Sequence, residues 1–317
     1  MAIAETIDSW LARRGPTMRL SADLVEDLAY QLYGQALKRY PPDIKATLRQ
    51  AQGTEKDPTA QEVLTVALKS IDRAEQLDKP VCQDTGMQTV WCRVGRGVTF
   101  DGPGIEEAVR SGVGRWTREH EYRRTIVQPL NRNKYPEQSA AGHPKVEWEW
   151  FDGEECVEMM LLSKGSGSEN QGFHKMLVPA DGLAGAKRFI VDSVIQAGGQ
   201  FCPPGIAGIG FGSTFDGVAR LAKRALLRDC RTGHPEPEIA ALEEELLAEI
   251  NDTGIGPMGL GGTTTLLGLN IEYEATHETQ NPVALNLQCW AHRKAGVRIR
   301  PGGHEFIWEF GGDGVEA

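Results

Sequence analysis

One short stretch, Lys79–Gly86, places the strongest local limit on how this chain folds, because its sequence Lys-Pro-Val-Cys-Gln-Asp-Thr-Gly does not suit regular secondary structure. Pro80 restricts the residue before it to extended backbone, and Gly86 allows a turn. The thiol, amide, carboxylate and hydroxyl between them are therefore expected on a loop, where reactive side chains are common. Taken alone, the octapeptide is equally consistent with a tight turn around one buried thiol.

A second cysteine, Cys202, has a similar setting, because Pro203 and Pro204 follow it directly. Proline lacks an amide hydrogen, so Cys202 cannot lie inside a regular helix or a central strand. A third cysteine, Cys289, is expected at the end of a strand over Pro282–Leu287. The remaining cysteines lie within predicted strands or at a helix end, where packing is their expected role: Cys92, Cys156 and Cys230.

The composition indicates a globular protein of the cytoplasm. Of the 317 residues, 25% are charged and 40% are hydrophobic. Apolar runs such as Met159–Leu162 are far shorter than the roughly 20 residues that span a bilayer. No positive charge precedes an apolar core at the N-terminus, so we expect no secretory signal. Six cysteines scattered through the chain suit a reducing compartment better than a disulfide framework.

The net charge of −10 argues against a nucleic-acid partner, because that role needs a basic stripe that displaces counterions. The basic clusters here are short and interleaved with acids. One of them, which includes Arg115, Arg118, Arg123 and Arg124, follows or overlaps a predicted helix. A guanidinium binds a carboxylate in a bidentate fork, so one of these arginines is a candidate for holding an anionic substrate.

The predicted elements indicate an α/β fold, with α+β as the alternative. Residues 1–78 are predicted to be helical, with helix starts at Ser21, Pro42 and Asp57. Alternating apolar and acidic residues over Val146–Phe151, followed by Asp152-Gly153 and a second strand over Cys156–Leu162, predict a β-hairpin. Later strands alternate with helices, so we expect a mixed sheet whose strand ends and loops carry the site. The chain is predicted to form one catalytic domain over residues 1–317.

Three lone thiols from distant loops limit the kinds of metal centre that this chain can hold. Structural zinc prefers four ligands in closely spaced pairs, which this pattern does not supply. A four-iron cluster held by three cysteines is a better fit, and it leaves one iron without a protein ligand. Such an iron can act as a Lewis acid on a hydroxyl or carboxylate. The spacing of the cysteines alone does not distinguish these options.

Several motifs resemble the iron–sulfur hydro-lyases of the class I fumarase and L(+)-tartrate dehydratase family. The resemblance runs in family order from about residue 20 to about residue 300. The motifs that carry it are Lys-Pro-Val-Cys-Gln-Asp-Thr-Gly (79–86), Gln-Phe-Cys-Pro-Pro-Gly-Ile-Ala-Gly-Ile-Gly (200–210), Gly-Ile-Gly-Pro-Met-Gly-Leu-Gly-Gly-Thr-Thr-Thr (254–265), Ala-Thr-His (275–277) and Cys-Trp-Ala-His-Arg (289–293).

The resemblance implies specific roles for residues of this chain. It implies a [4Fe-4S] cluster with one open iron, whose ligands are Cys82, Cys202 and Cys289. The substrate-binding residues that it implies are Gln83, Asp84, Arg123 and Gly167. The catalytic residues are Asp84, for acid–base work on the substrate hydroxyl, and His277, which assists or orients. Arg124 adjoins Arg123, and either could contact the substrate.

The resemblance also implies a partner. Single-chain relatives continue into a second domain that carries the carbon-proton base, whereas this chain ends 28 residues after Cys289. We therefore expect an α subunit that needs a separately encoded β subunit, in an α2β2 heterotetramer, with no nucleic acid or membrane involved. The expected reaction is fumarate to malate. L(+)-tartrate to oxaloacetate is the alternative, and mesaconate hydration is a third.

Two readings from other classes remain open at this point. A non-enzymatic iron–sulfur sensor would also use three spread cysteines, but it would not need the Gln83-Asp84 pair or the arginine. A zinc-dependent hydrolase is the other alternative, which metal analysis would reveal.

Overall fold

The computed structural model describes residues 18–100, 104–312 and 314. The chain divides into two compact units. The first comprises Met1–Ala36, Gln88–Leu162 and Ala295–Ala317, and the second comprises Leu37–Met87 and Ser163–Lys294. This division does not test whether residues 1–317 form one catalytic domain, which stays a prediction.

The described residues form an α/β fold, which confirms the predicted class. The helices are α1 (Ala22–Lys38), α2 (Pro42–Thr54), α3 (Pro58–Gln76), α4 (Ile105–Glu119), α5 (Ser166–Glu169), α6 (Gly182–Ala197), α7 (Phe215–Ala225) and α8 (Pro237–Asn251). Short 3-10 turns lie at Pro179–Asp181, Gly198–Phe201 and Pro257–Gly259. Among the described residues, no helix combines the length and hydropathy that crossing a membrane requires.

The strands form three sheets among the described residues. They are β1 (Met18–Leu20), β2 (Met87–Arg96), β3 (Val98–Phe100), β4 (Lys145–Glu154), β5 (Val157–Lys164), β6 (Gly172–Leu177), β7 (Gly205–Gly212), β8 (Leu266–Glu274), β9 (Asn281–Gln288), β10 (Lys294–Arg300) and β11 (Gly303–Ile307). Strands β1 and β3 pair in parallel as a separate two-stranded sheet.

The N-terminal helices begin where the sequence predicts. The Ser21 hydroxyl accepts a hydrogen bond from the amide of Leu24 before α1. Helix α2 starts at Pro42, and the Asp57 carboxylate caps α3 by accepting from the amide of Ala60. These signals act within one helical turn, so local sequence suffices to place them. The predicted helix over residues 1–17 lies outside the described residues, and β1 was not predicted.

The first unit contains a five-stranded sheet in the order β11-β10-β5-β2-β4. The predicted hairpin between β4 and β5 is wrong, because β2 lies between them and pairs with β4 in parallel. Asp152 and Gly153 lie inside β4, and the chain turns only at Glu155, whose φ is 42°. The carbonyl of Cys156 then accepts a hydrogen bond from the amide of Gly95 in β2.

The second unit contains a four-stranded sheet in the order β6-β9-β7-β8. Strand β7 pairs in parallel with β8 and antiparallel with β9. Helix α7 packs directly on β7, and a side chain at Gly208 or Gly210 would meet the backbone of that helix. The core combines residues of α6, α8 and the four strands, such as Ile190, Leu246 and Leu285.

Candidate metal centre

The three predicted cluster ligands all lie in the second unit, on irregular backbone next to regular elements. Cys82 lies in the loop between α3 and β2. Cys202 lies between the 3-10 turn Gly198–Phe201 and β7, and Cys289 directly follows β9. We refer to these three residues as the three-thiol site. The other three cysteines lie elsewhere, and Cys92 and Cys156 are buried.

Sheet pairing brings Cys202 and Cys289 to the same edge. Strands β7 and β9 are antiparallel, so the start of β7 lies beside the end of β9, with Ile206 opposite Gln288. A hydrogen bond of 3.2 Å from the amide of Trp290 to the carbonyl of Cys202 joins the two loops. Cys202 adopts left-handed backbone with φ 57°, an uncommon conformation for a residue other than glycine.

The loop that carries Cys82 is fixed to the end of β5. The carbonyl of Thr85 accepts a 2.6 Å hydrogen bond from the hydroxyl of Ser163. Gly86 has φ +75°, and a Cβ atom there would lie only 2.7 Å from the carbonyl oxygen of Lys164. Glycine is therefore required at this position both for its backbone conformation and for its small size.

Burial and the other thiols both contribute to the raised pKa values of Cys202 and Cys289. Burial raises the pKa of the Cys202 thiol, and the charge of Cys82 raises it further. Burial also raises the pKa of the Cys289 thiol; the Arg293 guanidinium opposes this, while Cys82 and Cys202 add to it. The backbone brings the three loops together, because the amide of Trp290 donates to the carbonyl of Cys202, and Asp84 of the Cys82 loop lies with Cys289 around Gly165. The fold thus gathers three thiols from three distant parts of the chain.

Asp84 lies beside the three-thiol site with its carboxylate held by backbone amides. One oxygen, Oδ1, accepts a 2.9 Å hydrogen bond from the amide of Gly86. The other, Oδ2, accepts a 2.8 Å hydrogen bond from the amide of Ser166, at the start of α5. These bonds hold the carboxylate in one orientation, where the Cys82 loop meets the segment Lys-Gly-Ser-Gly-Ser-Glu-Asn (164–170), which we call the glycine–serine loop.

Gly165 marks the point where the carboxylate, a thiol and a cation come together. A Cβ atom there would lie 3.0 Å from Nη2 of Arg293, 3.5 Å from Oδ2 of Asp84 and 4.0 Å from Sγ of Cys289. Sequence analysis did not assign roles to Gly165 or Arg293. Arg293 ends the Cys-Trp-Ala-His-Arg motif, and its position four residues after a predicted ligand was the available signal.

Buried cations lie next to the thiols. Arg293 and Lys164 are each 1% exposed. Burial lowers the pKa of Lys164 to about 8, while the carboxylate of Glu169 opposes the shift. Lys164 Nζ lies 3.2 Å from Oε2 of Glu169, and Lys223 Nζ lies 2.5 Å from the other oxygen of that carboxylate. Two lysines thus share one carboxylate, which leaves positive charge in excess.

The residues present fit an anionic iron–sulfur cluster. Within the described residues, Nε and Nη1 of the buried Arg293 have no hydrogen-bond partner. A buried guanidinium requires a compensating negative charge, and thiolates are the ligands that iron–sulfur clusters use. Three thiols beside an incompletely paired cation form a donor set and a charge environment suited to such a group.

A second group of potential metal ligands forms ion pairs with basic side chains of the protein. In the described part of the chain, the one group of three potential ligand atoms within 4.8 Å of one another belongs to Asp43, Asp229 and Cys230. Lys294 Nζ lies 3.4 Å from Oδ2 of Asp43, and Arg231 Nη2 lies 2.6 Å from Oδ2 of Asp229. The three-thiol site is not so tightly spaced, as expected for a cluster larger than a single ion.

The other predicted site residues are placed differently. Gln83 is exposed, and its Oε1 accepts a 3.7 Å hydrogen bond from the Cys82 thiol. Gly167 lies in α5, where a Cβ atom would have only the carbonyl oxygen of Gln200 within 4 Å. Arg123 is exposed and lies in the first unit, after α4.

His277 lies at the opposite end of the second unit's sheet from the three-thiol site. It follows β8, whose last residue Glu274 pairs with Gly212 at the end of β7, whereas Cys202 precedes the start of that strand. Gly212 lies six residue steps after Ile206 along β7, which is roughly 20 Å of extended chain. The side chain is exposed, and its Nδ1 accepts a hydrogen bond from the amide of Thr279.

Comparisons with known proteins agree on one family. The family model described as Fumarate hydratase (Fumerase) matches residues 26–298. A protein named "Putative L(+)-tartrate dehydratase subunit alpha" from Methanocaldococcus jannaschii is 37% identical over 278 residues, which is 87% of this chain and 98% of that protein. The L(+)-tartrate dehydratase subunit alpha of Escherichia coli (strain K12) is 28% identical over 261 residues, or 82% of this chain and 86% of that protein.

Proposed function

This chain belongs to the Fumarate hydratase (Fumerase) family, and on that premise we propose that it is the α subunit of an iron–sulfur hydro-lyase acting on a small dicarboxylate. One observation carries the proposal. Contacts in the second unit join the loops that carry Cys82, Cys202 and Cys289, and the carboxylate of Asp84 lies close to Cys289 around Gly165. A sensor would need the thiols but not this carboxylate.

In this proposal, the three-thiol site holds a [4Fe-4S] cluster through the three cysteine sulfurs. When bound, the cluster would supply an iron with an open coordination position, which acts as a Lewis acid on the substrate hydroxyl. The fit rests on the three thiols and on the incompletely paired guanidinium of Arg293. The Asp43, Asp229 and Cys230 group is not proposed as a ligand set.

Asp84 is proposed as the acid–base group for the hydroxyl. Dehydration breaks one carbon–oxygen bond and one carbon–hydrogen bond and forms a carbon–carbon double bond, so the departing hydroxyl needs a proton. The fixed orientation of its carboxylate, which accepts hydrogen bonds from the amides of Gly86 and Ser166, supports this assignment. In the hydration direction the same group accepts the proton. The base for the carbon proton is expected on the β subunit.

Gln83, Arg123 and Gly167 are proposed to bind substrate. Gln83 extends from the Cys82 loop as an exposed amide with donor and acceptor capacity. Gly167 contributes from the backbone of α5, and an arginine such as Arg123 would hold a carboxylate end in a bidentate fork.

His277 has a restricted role in the proposal. Because it lies at the opposite end of its own sheet, it can serve a three-thiol site only in a second copy of the chain. The proposed α2β2 assembly contains two copies of the α chain, so it would allow this.

The names of the relatives as alpha subunits support a β partner. We further propose a cytoplasmic location, from the scattered reduced cysteines.

Two substrates are carried forward. The family description names fumarate hydratase, which supports fumarate and malate. The similar proteins from M. jannaschii and E. coli are named as L(+)-tartrate dehydratase subunits, which supports L(+)-tartrate and oxaloacetate. Mesaconate remains a third candidate.

The test is an anaerobic assay of the chain co-expressed with its β subunit and reconstituted with iron and sulfide. Fumarate, L-malate and L(+)-tartrate are followed by absorbance and product analysis. We expect turnover of at least one acid, and its loss in Cys82→Ser. A stable cluster with no reaction of any of these acids or of mesaconate would favour the sensor, and bound zinc in place of iron would favour a hydrolase.

A further inference from the structure

Arg293 presents its charge to the three-thiol site from within the protein interior. Its Nη2 atom would lie 3.0 Å from a Cβ atom on Gly165, and Sγ of Cys289 would lie 4.0 Å from that Cβ atom. The guanidinium and the thiol are therefore at most about 7 Å apart. Charges interact strongly at this separation when both are buried, because the interior screens them less than water does.

The guanidinium is incompletely paired. Within the described residues, Nε and Nη1 of Arg293 have no hydrogen-bond partner, although the side chain is 1% exposed. The carboxylate of Asp84 is near, but both its oxygens already accept hydrogen bonds from backbone amides. A buried charge in this condition needs a further negative group to compensate it.

Lys164 adds a second buried cation to the same region. It shares the carboxylate of Glu169 with Lys223, so these three groups carry a net positive charge. The negative charge of Cys289 acts on Lys164 and favours its protonated form. Lys164 directly precedes Gly165, the residue around which Arg293 and Cys289 meet, so the two buried cations lie on neighbouring segments, at the end of β5 and just before β10.

We propose that the positive charge of Arg293 raises the reduction potential of the cluster held at the three-thiol site. Lys164 contributes to this effect as a second cation. The inference rests on the proposed function, since it requires the cluster. Adding one electron makes the cluster more negative, and a fixed cation nearby stabilises that state. Arg293 therefore raises the cluster's reduction potential, and this charge effect is distinct from any contact with substrate.

The experiment measures the potential of the cluster directly. The chain and its β subunit are reconstituted anaerobically and titrated with dithionite, which supplies one electron to the cluster, in the presence of redox dyes. Electron paramagnetic resonance reports the reduced fraction at each potential. The variants are Arg293→Gln, which removes the charge, and Arg293→Lys, which retains it. Arg224→Gln is the matched control, because Arg224 pairs with Glu272 opposite Gly210, far along β7 from the thiols.

The proposal expects a negative shift of the midpoint potential in Arg293→Gln, at unchanged iron and sulfide content, and a potential close to that of the parent in Arg293→Lys and Arg224→Gln. An unchanged potential in Arg293→Gln with an intact cluster would overturn it. If Arg293→Gln does not fold, Lys164→Met decides instead, since it removes the second cation with little change in volume; there too an unchanged potential overturns the proposal. Absence of iron and sulfide from the parent protein would instead refute the proposed function.

Discussion

The Oδ2 atom of Asp84 lies 2.8 Å from the backbone nitrogen of Ser166 and accepts its hydrogen bond. This contact joins the loop that carries the first predicted ligand to the glycine–serine loop that follows β5. The two loops are 82 residues apart in sequence, so neither positions the carboxylate by itself. The bond makes the acid–base candidate part of a fixed framework before substrate arrives.

Replacing Asp84 with asparagine is expected to lower kcat strongly while leaving the cluster bound. The amide keeps the size of the side chain, and its oxygen can still accept one of the two backbone hydrogen bonds, but it cannot transfer a proton to the hydroxyl. The loss of kcat should be roughly 10²- to 10⁴-fold, the usual contribution of a positioned acid–base group. Steady-state kinetics and iron content of the purified complex measure this. Full activity in the variant would exclude the role proposed for Asp84.

Replacing Gly165 with alanine is expected to disturb the three-thiol site with little effect on overall folding. The new methyl group would press on Nη2 of Arg293 at 3.0 Å and lie near Oδ2 of Asp84. We expect kcat/KM to fall by about tenfold or more, a loss of roughly 1.4 kcal/mol in transition-state stabilisation. Gly53→Ala is the control, because Gly53 has no other atoms within 4 Å of its Cβ position. Equal activity in both variants would argue against a crowded site at Gly165.

Replacing Gly86 with alanine is expected to destabilise the second unit by about 2 kcal/mol or more, since it combines left-handed backbone with steric contact. Gly254→Ala separates the two effects, because Gly254 has φ +68° but open space around its Cβ position. Gly254→Ala should lower the free energy of unfolding by only about 1 kcal/mol, because it introduces backbone strain without a steric contact. Urea unfolding of the cluster-free chain compares them. A Gly86→Ala variant as stable as Gly254→Ala would contradict the close contact with Lys164.

The buried imidazole of His143 is expected to make the first unit less stable in mild acid. Burial lowers its pKa from 6.5 to about 4, with a smaller contribution from Arg110, and its Nε2 pairs with Oε1 of Gln88. The unfolded chain therefore binds more protons between these two values, so stability is complete above about pH 6.5 and falls as the pH decreases towards 4. The expected loss at pH 5 is about 2 kcal/mol.

His143→Gln removes the titrating imidazole, so the free energy of unfolding should depend less on pH between about pH 6.5 and pH 4. Urea unfolding of both proteins at pH 7 and pH 5 gives the comparison, and the quantity of interest is the difference between the two pH dependences. Parallel profiles would show that His143 is not buried in its neutral form.

Local signals explain what sequence analysis predicted well. The cap at Asp57 and the start at Pro42 depend on contacts within one turn, and they are confirmed. The loop settings of Cys82 and Cys202 follow from adjacent prolines and glycines, which restrict the backbone whatever the rest of the chain does.

Non-local pairing explains what it missed. The pattern around Asp152 resembles a hairpin, but whether β4 pairs with β5 or with β2 depends on strands more than 50 residues away. Arg293 gains its significance only when the end of β9 meets the loop at Gly165. The distance of His277 from the thiols likewise follows from the register of β7 and β8, which sequence motifs do not reveal.

The central claim is that Cys82, Cys202 and Cys289 hold an iron–sulfur cluster, and metal analysis tests it most directly. The chain is reconstituted anaerobically, desalted, and assayed for iron, sulfide and zinc alongside Cys82→Ser and the control Cys92→Ser, whose thiol is buried in β2. The account predicts about four irons and four sulfides per chain in the parent and the control, and loss in Cys82→Ser. Zinc in place of iron, or equal iron and sulfide in all three proteins, would contradict it.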